Sequence, residues 1–238
     1  MSRRYSARRK KSETLNHNKL VVFNDPKSPV SEIYRTIRTN IQFSSFDKEL
    51  KTITVTSSLE GEGKTTTLAN LAVTLAQQNK RVLIVDADLR RPKIHRIFEL
   101  NNTEGLTELL IEMVKPERFI QETFVENLWV LPTGRIPPNP AELLGSSRMH
   151  SILKNLRGKF DYVLVDIPPV NVVTDGLLIA NRMDGVVLVC EAGYATIEQV
   201  KRAKELLVNA KANILGVVLN NIPLDQTNYY YAHKHYQD

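Results

Sequence analysis

Ser58 to Thr67 read SLEGEGKTTT and directly follow the β-rich run KTITVTSS, residues 51–58. Glycines in a strand-to-helix turn let successive backbone N–H groups curl around phosphate oxygens, and a helix starting there adds the positive end of its dipole. Lys64 then reaches the β- and γ-phosphates and Thr65 offers a hydroxyl to Mg²⁺, which is the chemistry of a P-loop. Gly61, Glu62, Gly63, Lys64, Thr65 and Thr66 form the expected phosphate cradle. Ser58 departs from the pattern, which has glycine at its first position. A glycine-rich turn without function is the alternative reading.

Two later runs end in carboxylates: RVLIVDAD (81–88) gives Asp86 and Asp88, and DYVLVDIPP (161–169) gives Asp166. An acid at the end of an apolar strand is costly to bury unpaired, and open parallel sheets bind ligands at the C-terminal ends of their strands. Taken singly, each acid could cap a helix or form a turn. Converging on the sheet edge that carries Lys64, they predict a magnesium–nucleotide site.

The elements that must hold these residues are legible as six apolar runs, at 51–58, 81–88, 127–134, 161–169, 184–192 and 214–221. Most are continuously hydrophobic, as strands buried on both faces of a parallel sheet should be. Helical stretches lie between them; Thr65 to Asn79 places Leu68, Leu71, Ala72, Leu75 and Ala76 on one stripe. The alternation predicts an α/β P-loop NTPase-like layered fold, a mostly parallel central sheet flanked by helices. One domain is expected over 30–224, after a basic segment at 1–29 and before a tyrosine-rich tail at 225–238.

Composition agrees with a folded body. Of 238 residues, 42% are hydrophobic and 24% charged, and a single cysteine excludes a disulfide scaffold. Cys190, inside VVLVC, reads as a buried small hydrophobe. Five histidines show no metal-ligand spacing, so no structural metal is assigned. No run approaches the roughly 20 apolar residues of a membrane span. The formal charge of +6 is local: Arg3, Arg4, Arg8, Arg9, Lys10 and Lys11 precede the first acid, leaving 26 bases and 26 acids in the rest. Those six charges predict an electrostatic tether to anionic lipid or an acidic partner. A nucleic-acid function finds no base-reading motif or stacking platform beside them.

SLEGEGKTT, LIVDADLRRP and VLVDIPP together resemble the Walker A, A′ and B motifs of the bacterial tyrosine kinases (BY-kinases), the capsular and exopolysaccharide autokinases. The resemblance covers roughly residues 25–238 and is closest to the separate cytoplasmic kinase chain of Gram-positive systems. It implies ATP and Mg²⁺, with Lys64 on the phosphates, Thr65, Asp88 and Asp166 toward the metal, and Asp86 accepting the tyrosine proton. A carboxylate of ordinary pKa near 4 would take that proton only late, once the phenol oxygen is bonding to phosphorus. Arg90 or Arg91 could neutralise the γ-phosphate, and Asn220 is an adenine contact by analogy only.

Glu32, Arg35 and Arg38 form the ExxRxxR pattern that in this family lies in the interface of a ring-shaped oligomer. On a helix they would oppose Ile33, Ile37 and Ile41, and the alternative is a solvated face with a Glu–Arg pair. IPPNPAELL (136–144) matches a family segment. Tyr229, Tyr230, Tyr231 and Tyr236 stand in a polar tail without core periodicity and are the expected phosphoacceptors, whereas Tyr34 and Tyr194 lie in elements expected to fold. Implied partners are a membrane-embedded activator, a phosphotyrosine phosphatase and proteins of polysaccharide synthesis, with the chain at the inner face of the cell membrane. The competing assignment is a Min- or Par-type ATPase switch. That group carries a signature lysine where this sequence has Leu59.

Overall fold

A computed structural model describes residues 19–44, 49–112 and 114–222. A seven-stranded sheet forms the middle layer, in the order β3-β4-β2-β5-β1-β6-β7. The strands are β1 (Thr52–Ser57), β2 (Val82–Asp86), β3 (Gln121–Glu122), β4 (Leu128–Leu131), β5 (Tyr162–Asp166), β6 (Gly185–Glu191) and β7 (Ile214–Asn220). All neighbours pair in parallel except β3, which runs antiparallel to β4 at one edge. All six expected runs are strands. The short β3 has no apolar run to announce it.

β1, β2 and β5 are buried at nearly every position, so both sheet faces need cover. On one face lie α1 (Val21–Asn24), α2 (Pro29–Phe43) and α3 (Lys64–Ala76). Helix α4 (Ile94–Ile97) closes that layer beside α3. The other face carries α5 (Leu106–Ile111), α6 (Pro140–Gly145), α7 (Ser147–Arg157), α8 (Asp175–Ala180) and α9 (Ile197–Asn209). The pattern is the layered α/β arrangement expected of the sequence.

Two expectations change. Helix α3 buries Thr67, Asn70, Val73 and Thr74 along with its apolar stripe, because α1 and α2 cover the side that a surface helix would expose to water. The folded body also begins before residue 30. Leu20 and Val22 are fully buried in the core, and Asn70 ties them down: its Oδ1 accepts from the Val22 amide at 3.0 Å and its Nδ2 donates to the Lys19 carbonyl at 2.7 Å. The run LVVF is thus part of the fold, hidden in the sequence by its polar and basic surroundings. The basic cluster at 3–11 and the tail at 225–238 lie outside the described residues. Among the described residues no helix is long and apolar enough to cross a membrane.

Candidate active site

The turn from β1 into α3 is built on two left-handed glycines, with φ of +92° at Gly61 and +89° at Gly63. A side chain is strained in that region. At Gly63 it is also excluded sterically, since a Cβ there would lie 2.2 Å from Asn220 Nδ2. Asn220, at the end of β7, donates that nitrogen to the Glu62 carbonyl at 3.1 Å. It therefore braces the loop from outside.

Glu62 supplies the inner brace. Its carboxylate is fully buried; one oxygen accepts from the Ser58 hydroxyl at 2.8 Å and the Leu59 amide at 2.6 Å, the other from the Glu191 amide at 3.2 Å. The side chain is thus turned inward, and the phosphate contact expected of Glu62 falls to its backbone. Ser58, which stands where the usual pattern has glycine, is one of the groups that hold it.

Lys64 begins α3, and its ammonium lies 3.0 Å from Asp88 Oδ2 and 3.1 Å from Asp166 Oδ1. Burial alone would depress this lysine, but Asp166 and Asp88 outweigh it and raise its pKa above the ordinary value. Thr65 donates its hydroxyl to Asp166 Oδ2 at 2.8 Å. The β2–β5 register sets Asp86 opposite Asp166, so the acids of the two expected motifs meet across adjacent strands. Burial, and then the neighbouring charges of Lys64 and Asp88 acting in opposite senses, leaves the Asp166 carboxyl above the usual range.

Asp86 Oδ2 accepts from the Lys93 and Ile94 amides at 3.2 and 3.1 Å, where α4 starts. Its Oδ1 is buried without a hydrogen-bond partner. Burial, reinforced by the Asp166 charge, pushes this carboxyl up to about 7. Asp88 and Asp166 share the one ammonium, and Asp86 is buried opposite Asp166. That surplus of buried negative charge, with hard oxygen donors on Thr65, Asp88 and Asp166, fits a magnesium ion. Mg²⁺ is commonly held by one or two carboxylates and substrate phosphates.

The cavity in front of these groups has a volume of about 770 Å³ and is lined by the P-loop, Asp88, Arg90 and the Pro168–Val173 segment. The two arginines of LRRP diverge. Arg91 is exposed and pairs with Glu60. Arg90 donates from Nε and Nη2 to the two oxygens of Asp175, at 2.7 and 3.3 Å. Asp175, at the start of α8, is buried and escaped the sequence reading. Its only signal was an acid ahead of the apolar run GLLIA, which also reads as an ordinary helix start.

The ExxRxxR helix is only partly as expected. Glu32 is exposed and Arg35 pairs with it across 2.5 Å. Arg38 turns instead toward its own chain, donating to the Thr74 carbonyl of α3 at 2.9 Å. It sits four residues after the buried Tyr34 and three before the buried Ile41, which is the packed side of the helix. Tyr34 is buried and held in its neutral form by desolvation. Tyr194 is 55% exposed in the turn after β6; a turn, not an element, holds it. The acceptor candidates Tyr229, Tyr230, Tyr231 and Tyr236 lie outside the described residues.

Comparison with known proteins follows the same outline. The AAA domain family model matches residues 50–214. Tyrosine-protein kinase YwqD of Bacillus subtilis (strain 168) is 44% identical over 211 residues, spanning 89% of each chain. The crystal structure of the chimerical protein CapA2B2 superposes with a TM-score of 0.83 at 43% identity, covering 87% of this chain and 91% of that one. The kinase domain of Escherichia coli tyrosine kinase ETK gives 0.82 at 32% identity, over 85% and 80%. The septum site-determining protein MinD from Pyrococcus horikoshii OT3, complexed with Mg-ADP, is more distant: 0.62 at 25% identity, over 75% and 76%.

Proposed function

The chain belongs to the bacterial tyrosine kinase (BY-kinase) family, and on that footing we propose that it transfers the γ-phosphate of ATP to tyrosine hydroxyls, first those of its own C-terminal segment. The observation that carries this reading is Asp86. Its buried carboxyl has one oxygen uncommitted and stands opposite Asp166, which binds the phosphate-binding lysine; a free acceptor is what a general base for a phenol requires.

Phosphoryl transfer asks mainly for positioning and charge stabilisation. The Gly61–Thr66 backbone binds the phosphates and Lys64 neutralises them. Asp86 Oδ1, the uncommitted oxygen, accepts the tyrosine proton as the phenol oxygen bonds to phosphorus. Magnesium, held by Thr65, Asp88 and Asp166, supplies further neutralisation of the phosphate oxygens. Asp86 returns its proton to solvent after the product leaves.

Tyr229, Tyr230, Tyr231 and Tyr236 are the proposed acceptors, reached in trans within a homo-oligomer. The exposed Glu32 of α2 supports an interface there, while Arg35 binds Glu32 and the Pro26 carbonyl, and Arg38 the Thr74 carbonyl, of their own chain. The likeness to a chimerical protein supports a partner chain, here a membrane-embedded activator, and so a place at the inner face of the membrane. Proteins of capsule or exopolysaccharide synthesis would be further substrates, and a phosphatase would reverse the modification. A hydrolytic switch of the Min or Par type is disfavoured by Leu59, which stands where that group has its signature lysine.

The test is incubation of the purified full chain with labelled ATP and Mg²⁺, with and without the activator's cytoplasmic segment, followed by phosphotyrosine mapping. Label on residues 229–236 that disappears in Lys64→Met and Asp86→Asn supports the kinase. Release of free phosphate with no labelled protein supports the switch.

A further inference from the structure

We propose that Asp175 is a positioning residue that presents Arg90 to the phosphoryl group being transferred. The inference rests on the kinase reading above and names a cation that the Walker motifs alone leave unassigned.

Three observations converge on it. Arg90 lines the cavity alongside Gly61 to Thr66 and Asp88. Its guanidinium is engaged through the Nε–Nη2 edge only, so both N–H groups of Nη1 and one of Nη2 remain to be given. Its side chain is 45% exposed, while that of Asp175 is 4% exposed. A bidentate arginine–carboxylate pair fixes the orientation of the planar fork. The cation is thereby aimed without being enclosed. Lys19, Lys93 and Arg96 also line the cavity; of the cations nearest the Walker acids, Lys64 is shared by Asp88 and Asp166, and Arg91 is drawn to the exposed Glu60.

The placement of Asp175 is itself specified. It follows the Pro168–Thr174 segment that leaves Asp166 and lines the same cavity. The next residue must be small: a Cβ on Gly176 would meet Ile167 Cδ1 at 3.0 Å and the Pro168 carbonyl at 3.1 Å. That close approach seats α8 against the end of β5. The Arg90–Asp175 pair therefore joins the loop after β2, which carries Asp88, to the start of α8, which follows the segment leaving Asp166 at the end of β5. A buried acid holding a partly exposed arginine at a phosphate cavity makes a cation prepositioned for the γ-phosphate and for the charge that develops on it in the transition state.

The experiment compares Arg90→Ala, Arg90→Lys, Asp175→Asn and the double variant Arg90→Ala/Asp175→Asn in the full chain. Three quantities are read: autophosphorylation rate, affinity for ADP and for a non-hydrolysable ATP analogue, and melting temperature. Expected are a fall in kcat of about 100- to 1,000-fold in Arg90→Ala and Asp175→Asn, a double variant no slower than Arg90→Ala, and loss of affinity for the analogue but not for ADP. Arg90→Lys should recover little, because an ammonium cannot make the bidentate pair. Multiplying losses in the double variant, an equal loss of ADP and analogue affinity, or full activity in Asp175→Asn would each overturn the assignment. If Asp175→Asn fails to fold, the Arg90 variants still decide through the analogue-to-ADP ratio. That ratio is read without tyrosine transfer, so a wild-type chain that labels no tyrosine refutes the kinase reading separately.

Discussion

Replacing Glu62 by glutamine keeps the shape of the side chain and removes only its charge and one acceptor. In the native loop both carboxylate oxygens accept, from Ser58 and Leu59 on one side and Glu191 on the other. An amide has one oxygen and one NH₂. If its oxygen faces Ser58 and Leu59, the NH₂ confronts the Glu191 N–H donor to donor; turned over, the NH₂ can donate to the Ser58 hydroxyl but confronts the Leu59 N–H. Either arrangement leaves a buried N–H unsatisfied, at about 1–3 kcal/mol. Part of that loss appears as lower stability and part as a looser cradle, and at 1.4 kcal/mol per tenfold the whole would be about 5- to 100-fold in ATP affinity. Glu62→Ala, orphaning the Ser58, Leu59 and Glu191 donors together, should be worse. Fluorescent-nucleotide titration and thermal melting of the same samples measure the two shares. A glutamine variant that melts with the wild type and binds ATP equally well would refute the view that this carboxylate braces the P-loop.

Other consequences can be tested independently. Leu20→Ala should cost about 2–5 kcal/mol, read by denaturant unfolding, because Leu20 is fully buried despite preceding the expected domain. Asp184 is pushed up by burial, but Arg157 and the Thr52 and Lys51 donors outweigh that and hold its pKa below the ordinary value. Its stabilisation is therefore present above about pH 4 and lost as pH falls through the lower, folded-state value. Arg157→Ala should cost about 1 kcal/mol at pH 7, modest because the pair is partly solvated. The difference from wild type should shrink below pH 4 in urea melts. Burial, and secondarily the Glu62 charge, pushes the Cys190 thiol up to about 11, so iodoacetamide at pH 8 should leave the native chain unmodified and label the unfolded one.

The fold was legible wherever a run of residues had a single physical explanation. Continuous apolar strands and a glycine-rich turn before a helix admit few arrangements, and β1, β2, β5 and α3 lie where such patterns place them. Pattern reading was weaker where a residue's role depends on partners distant in sequence. LVVF at 20–23 looked like part of a polar leader because its cover, Asn70 and the rest of α3, is nearly fifty residues away. Arg38 looked like a free cation because spacing along a helix does not reveal a carbonyl on the next one.

The same limit explains the reading of the site. Lys64, Asp86, Asp88 and Asp166 announce themselves because each puts a charge at a helix start or at or just past the end of an apolar strand, and Thr65 because it follows the P-loop lysine. The residues that hold them carry no such mark. Glu62 was read into the cradle for its backbone, and nothing in the motif shows that its carboxylate is buried under the loop on Ser58, Leu59 and Glu191. Asn220, considered for adenine, braces the loop through the Glu62 carbonyl. Asp175 resembles any helix-starting acid until Arg90 is found across from it. The cradle is thus set by residues that meet phosphate and fixed by residues from β6, β7 and α8 that do not. A substitution in that supporting set should alter nucleotide chemistry while leaving every Walker residue in place.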